Sequence, residues 1–208
     1  ASLTWAFAGM LNPAMSQLHA FVSEYSARDQ PWRYLFQTTD VVMGTSLCLA
    51  GLATLAWARH RPLGRQGWSG IGFVVGGLFS VLDALVTMDC SPTRSPACMA
   101  AEEAGHVSAS HIVHVGTSTV VVIGFALPIL LLNSTMTRFR GFGLVVAWAW
   151  VIFTLLNGIG AMDWFNGTPM SYTGIWQRLS LGLGTLWWLT LAADDVITAR
   201  ARNHVPSC

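Results

Sequence analysis

Six ionisable side chains stand where chemistry is conceivable: Glu24, Asp40, Asp83, His111, His114 and Arg178. All but Glu24 fall a few residues inside the same end of four different apolar segments. An ionisable residue within a membrane costs about 2.5–3.5 kcal/mol on insertion scales, so a set at one depth is expected to be paired, metal-bound or functional. At a rise of about 1.5 Å per residue, Asp40 and Asp83 lie about 8 Å below the boundary. His111 and His114 lie at about 6 and 10 Å, and Arg178 at about 5 Å. Arg178 alone does not balance both aspartates. Either a proton, a protonated histidine or a bound cation supplies the remainder, or one aspartate is neutral. One expectation is an ion-pair staple, in which Arg178 neutralises an aspartate and the histidines are neutral and hydrogen-bonded. The other is a pocket open to the outer surface, capped by Ser23 and Glu24, in which these residues are catalytic or binding groups.

His111 and His114 are one helical turn apart and have the spacing to share a divalent metal, with Asp83 as a third ligand and Glu24 or Asp40 holding a water. A metal-activated hydroxide at this depth would face lipid esters and amides. The His-Glu-x-x-His pattern of zinc proteases is absent, so a divalent metal is the one cofactor the sequence leaves open, and it specifies no reaction. Haem b between facing helices fits poorly, because His19, His60 and His204 lie elsewhere. Quinone-linked disulfide exchange lacks a Cys-x-x-Cys pair.

The elements that carry these residues are membrane helices. The chain of 208 residues is 53% hydrophobic and only 10% charged, and its basic residues are all arginine. A soluble domain carries roughly 25% charged residues. The mean hydropathy is +0.51. Five stretches approach or reach the roughly 20 residues that cross a bilayer: Leu35 to Ala58, Ile71 to Met88, Val107 to Leu132, Phe142 to Met162 and Ile175 to Ile197. Leu3 to Leu11 reads as the end of a sixth helix or as a shortened one. The expected fold is all-α, a polytopic membrane bundle of about six helices, in a single domain over 1–208. Pro128 is expected to kink the segment Val107 to Leu132.

Seven of the 11 arginines lie on one side: Arg59, Arg61, Arg65, Arg138, Arg140, Arg200 and Arg202. By the positive-inside rule that side and the C-terminus are cytoplasmic. Glu24, Asp29, Asp89, Glu102, Glu103 and Asp163 lie on the other. The formal net charge of +1 gives no sign of nucleic-acid binding. Cys90 and Cys98 share an outward loop and are expected to form a disulfide, worth about 2–3 kcal/mol in the chain-entropy model, while Cys48 and Cys208 have no partner. Met15, Leu18, Phe21 and Val22 recur at helical spacing and predict a short interfacial helix on the outer surface. Small and polar stripes mark the inward faces: Gln37, Asp40, Gly44 and Gly51; Gly72, Gly76, Ser80, Asp83 and Thr87; His111, His114 and Ser118; Arg178, Gly182 and Thr185. Such stripes are first of all packing devices. Trp32, Trp68, Trp164 and Trp176 read as interfacial aromatics.

Taken in order, Val22 to Ala27, Asp40, the Cys90 to Cys98 loop, Ser108-x-x-His111-x-x-His114 and Gly174 to Leu179 resemble a bacterial integral-membrane family catalogued as a domain of unknown function, DUF998. The likeness covers nearly the whole chain; Tyr25 stands where leucine is expected. It implies a six-helix bundle in a bacterial cytoplasmic membrane and brings no established reaction. Two functions are open: a protein that binds or processes a lipid or envelope substrate at the outer leaflet, and an accessory subunit whose polar cluster fixes packing while its apolar faces meet other membrane proteins.

Overall fold

Long uninterrupted apolar runs fold as helices because each backbone polar group is then satisfied within its own segment. The computed structural model describes residues 4–60, 62–165 and 172–203, and among them there is no strand. The elements are α1 (Thr4–Leu11), a 3-10 turn over Val22–Ser26, α2 (Arg33–Ala58), α3 (Arg65–Leu85), α4 (Pro96–Glu103), α5 (Ala109–Leu132), a second 3-10 turn over Asn133–Thr135, α6 (Arg140–Phe165) and α7 (Thr173–Asn203). Among the described residues four helices, α2, α3, α5 and α6, are long and apolar enough to cross a membrane. α7 has 31 residues but carries Arg178, Gln177, Asp194 and Asp195, and α1 has eight. The expected six spans are thus matched by four, with α7 and α1 packed beside them.

α3 is the central helix, packed against α2 on one side and α5 on the other; α6 and α7 form a second pair. Glycines on opposite faces of α3 make this possible. A Cβ on Gly77 would stand 2.5 Å from Gly44 O, and one on Gly72 would stand 2.7 Å from Gly124 O. The stripe read from the sequence held Gly72 and Gly76, the face towards α5; Gly70 and Gly77 make the contact with α2. Pro128 is inside α5 and is buried where its ring covers Gly72. Replacing Gly77 by leucine is expected to cost about 1–3 kcal/mol or more, because the main chain of α2 leaves no room for a side chain. An unchanged unfolding midpoint in detergent would contradict that contact.

In one half of the bundle Phe73, Ile129, Leu132, Met136, Val146, Ala147, Trp150 and Trp187 form a core that joins the two helix groups. Trp187 Nε1 donates to Asn133 Oδ1 at 3.0 Å, which settles both buried groups. Asp194 of α7 accepts the N–H groups of Thr137, Arg138 and Phe139 at 2.9, 2.6 and 2.8 Å. These donors lead into the first turn of α6, so one helix caps the start of its neighbour.

The opposite end is closed by residues 12–32 and 86–108. The segment 12–32 is folded as turns with one 3-10 stretch, not as the interfacial α-helix its periodicity predicts. The reason is competition from α7. The backbone of this segment bonds to that helix through Ile175 N to Leu18 O, 3.2 Å, and Val22 N to Gln177 Oε1, 2.5 Å, and such bonds displace a local helical ladder. Met15 is buried in a small core with Ala8, Ala20, Tyr25 and Phe36, whereas Leu18 is exposed.

Cys90 and Cys98 are joined, with their Cα atoms 6.0 Å apart. Ser95 caps α4 by accepting from Cys98 N, and Pro96 opens the helix. Cys48 is free; Cys208, His204, Arg61 and the C-terminal 204–208 lie outside the described residues.

Candidate polar site at the disulfide-bearing end

The predicted side chains fall into three adjoining networks rather than one chamber. The first is built on Glu24, which is completely buried. Its Oε1 accepts from Phe21 N at 3.0 Å. Its Oε2 accepts from the hydroxyl of Ser91 and from Thr93 N and Oγ1, the last two at 3.1 and 2.5 Å. Burial pushes the Glu24 carboxyl above its ordinary value, and the Ser91, Thr93 and Phe21 donors oppose that rise without cancelling it. Glu24 therefore ties the 3-10 turn to the disulfide loop and presents no free oxygen to a ligand. Ser23 is part of the same turn, its carbonyl taken by Ser26 Oγ at 2.7 Å.

Arg178 belongs beside this network. Its Nη1 donates to the carbonyls of Gln17, Ala20 and Gly174 at 2.8, 3.0 and 2.9 Å, and Nη2 reaches Tyr25 Oη at 3.3 Å. Glu24 is the carboxylate whose charge reaches it. The ion-pair staple expected between Arg178 and Asp40 or Asp83 is absent among the described residues. The guanidinium is spent on carbonyls that the turn of residues 12–20 leaves without backbone partners, and this is why a cation is buried there.

The second network centres on Asp89. Ser108 donates to it through N and Oγ at 2.6 and 2.8 Å, and Arg28 Nη1 at 3.0 Å. Burial would raise the Asp89 carboxyl, but the Ser108 donors outweigh it, helped by Arg28, and hold it below the usual carboxylate range. Ser108 also caps α5 by accepting from His111 N at 3.3 Å. His111 is buried, and its Nδ1 accepts from Asp89 N at 3.3 Å, so the proton of the neutral ring sits on Nε2, 3.9 Å from Glu102 Oε1 of α4.

The third network lies deeper, between α2, α3 and α5. His114 Nδ1 is 2.8 Å from Val86 O, 3.2 Å from Asp83 O and 3.2 Å from Asp83 Oδ1. Carbonyl oxygens only accept, so Nδ1 carries a proton. Asp83 Oδ1 also accepts from the hydroxyls of Thr117 and Ser118, the latter at 2.9 Å. Asp40 of α2 lies within electrostatic reach of this group, and Ser80 Oγ of α3 donates to its main-chain carbonyl at 3.4 Å. Asp83 is the ionisable neighbour whose charge acts on Asp40.

The structure thus pairs Asp83 with His114 and brings Asp40 to them, while His111 turns to Asp89, and Glu24 and Arg178 to the surface turn. Among the described residues no three His, Cys, Asp or Glu side chains gather closely enough to hold a metal, so the expected trio of His111, His114 and Asp83 is not brought together. One turn along α5 rotates the two rings by about 300° in register terms, and each is captured by a different loop group. Ser91, Thr93, Asp89 and Thr117 were missed in the sequence. Only Ser108-x-x-His111 carried a local signal, that of a helix cap.

No curated protein and no solved structure matches the chain. A family model described as protein of unknown function (DUF998) matches residues 1–194, in line with the ordered motifs, and the chain belongs to that family.

Proposed function

We propose that this membrane protein, seated in a bacterial cytoplasmic membrane with its C-terminus inside, holds the polar part of a lipid or envelope molecule at the outer leaflet. The observation that carries this reading is the Asp83–His114 pair, 3.2 Å apart within two spanning helices. A carboxylate and an imidazole in that relation bind polar groups and can accept a proton, and they sit at headgroup-to-glycerol depth. No reaction is assigned to them. The test is a photoactivatable lipid presented to the reconstituted protein, with the adducts mapped by mass spectrometry. Adducts should concentrate on α3 and α5 near Asp83 and His114, and fall in a double Asp83→Asn, His114→Gln variant. Adducts confined to lipid-facing positions such as Leu189 would remove the reading.

A specific observation favours the other role, that of an accessory subunit. Glu24, Arg178 and Asp89 are tied to protein groups, which makes the closed end a rigid cap. Under that reading partner helices of other membrane proteins meet the apolar faces of α2 and α6. The same experiment separates the two, since a cap alone gives no adducts beside His114.

A further inference from the structure

We propose that the Nε–Nη2 edge of Arg178, together with the Tyr25 hydroxyl, binds a phosphate oxyanion at the disulfide-bearing end. This site is separate from the Asp83–His114 pair and does not depend on it.

The five N–H groups of the guanidinium are unequally used. Nη1 carries the Gln17, Ala20 and Gly174 carbonyls at 2.8, 3.0 and 2.9 Å, and Nη2 reaches Tyr25 Oη at 3.3 Å. Nε is buried and has no partner among the described residues. A buried donor left unpaired costs about 1–3 kcal/mol, and more on a charged group. The charge is as poorly met as the donor. Arg178 is only 8% exposed, yet no ion pair among the described residues includes it. Glu24, the carboxylate whose charge reaches it, spends its oxygens on Phe21, Ser91 and Thr93. A buried cation without a counter-ion in contact is costly to hold, so an anion that reaches it is bound favourably.

Tyr25 adds a donor from another element. It is 1% exposed, and its oxygen accepts from Nη2, so its own proton is left to give; among the described residues no group accepts it. The free donors converge by covalent geometry. Both Nε and Nη2 are bonded to Cζ at about 1.33 Å, which sets them about 2.3 Å apart with their hydrogens on one edge. Since Nη2 is 3.3 Å from Tyr25 Oη, Nε and Oη are at most about 5.6 Å apart, and one anionic oxygen at about 2.8 Å reaches both. Arg178 Cζ lies 5.7 Å from the centroid of the Tyr25 ring, beside the same edge. That edge is the fork which takes an oxyanion side-on. Arg178 stands in the second turn of α7, at the end of the fold where the outer headgroups would lie, and phosphate is the anion of that layer. Tyr25 shares its small core with Ala8 of α1. An eight-residue helix is marginal by itself, so α1 is the element that moves to admit the anion. The phosphate belongs to a lipid headgroup or is a free inorganic anion, and the experiment distinguishes these sources.

The full chain, freed of phospholipid in a neutral maltoside detergent, is titrated with inorganic phosphate against chloride at constant ionic strength. A parallel series uses phosphatidylglycerol against a neutral glycolipid with the same acyl chains. The unfolding midpoint is read, together with phenylglyoxal modification of arginines mapped by mass spectrometry. Phosphate, phosphatidylglycerol or both should raise the midpoint and slow modification of Arg178, at concentrations that leave the exposed Arg94 reactive. Tyr25→Phe keeps the ring against Phe36 and should need about tenfold more ligand for the same rise, the effect of one charge-assisted hydrogen bond. Arg94→Gln should need no more than the wild type. Dependence on ligand is the readout, so a lower starting stability of Tyr25→Phe does not disturb it, and protection of Arg178 in the wild type needs no variant. A response to phosphatidylglycerol without one to phosphate assigns the anion to a lipid headgroup; a response to phosphate without one to the lipid assigns it to a free anion; a response to both shows that the phosphate group suffices. No response to either, an equal response to chloride or glycolipid, Arg178 unreactive throughout, or full ligand dependence in Tyr25→Phe overturns the proposal. The reading of Asp83 and His114 is judged by adducts on α3 and α5, so the two fail separately.

Discussion

Replacing Glu24 by alanine is expected to lower the stability of the detergent-solubilised protein by about 3 kcal/mol or more, among the larger effects of any single substitution in this chain. The carboxylate is completely buried and is the common acceptor for Phe21 N, Thr93 N, Thr93 Oγ1 and the Ser91 hydroxyl. Removing it orphans two backbone N–H groups and opens a hole at the junction of the 3-10 turn and the disulfide loop. Glu24→Gln keeps one oxygen but turns an NH2 group towards donors, so it should recover only part of the loss.

The same residue sets a pH dependence. Its folded pKa is raised above the ordinary 4.5 by burial, so the folded state holds the proton more tightly than the unfolded one. Its contribution is therefore fully present below pH 4.5 and is lost as pH rises through the folded value. Asp89 runs the other way: its folded pKa is lowered, and its contribution is lost as pH falls. Comparing unfolding midpoints of wild type and Glu24→Gln across this range isolates the Glu24 share. The wild type should lose stability relative to the variant as pH rises from 4.5, and parallel curves would show that Glu24 does not titrate with folding.

The second large effect is expected at Arg178. Arg178→Leu should cost about 3–5 kcal/mol, because the Gln17 and Ala20 carbonyls lose their donor inside the protein. Arg178→Lys should recover little, since a compact ammonium does not reproduce the planar fork that reaches three carbonyls and Tyr25 together. Limited proteolysis should show early cleavage within 12–32 in both variants. A lysine variant as stable and as resistant as the wild type would show that charge alone, not the fork, is what this position requires.

The sequence by itself determined the all-helical class, the four long apolar helices with their approximate limits, the disulfide and the family, and it expected about two spans more than the four that are long and apolar enough among the described residues. Each of these is a local property. Hydropathy over some 20 residues decides whether a segment leaves water, and two cysteines eight residues apart share a loop whatever the rest of the chain does. Height along each helix was also legible, because rise per residue converts position into distance along the axis. Direction around the helix axis was not. Asp40, Asp83, His111, His114 and Arg178 all stand near one end of their helices, yet only Asp83 and His114 meet directly, at 3.2 Å, where α3 packs closely against α5 at Gly72 and Gly124. The partners of Arg178 were invisible for a different reason: backbone carbonyls carry no residue identity, and whether Gln17 and Ala20 leave theirs unpaired depends on the fold of residues 12–32. Glu24 meets Ser91 and Thr93 from 67 and 69 residues away, through hydroxyls that resemble any others in the sequence. Chain position thus fixed what each residue was and how far along its helix it stood, and packing alone fixed what it faced.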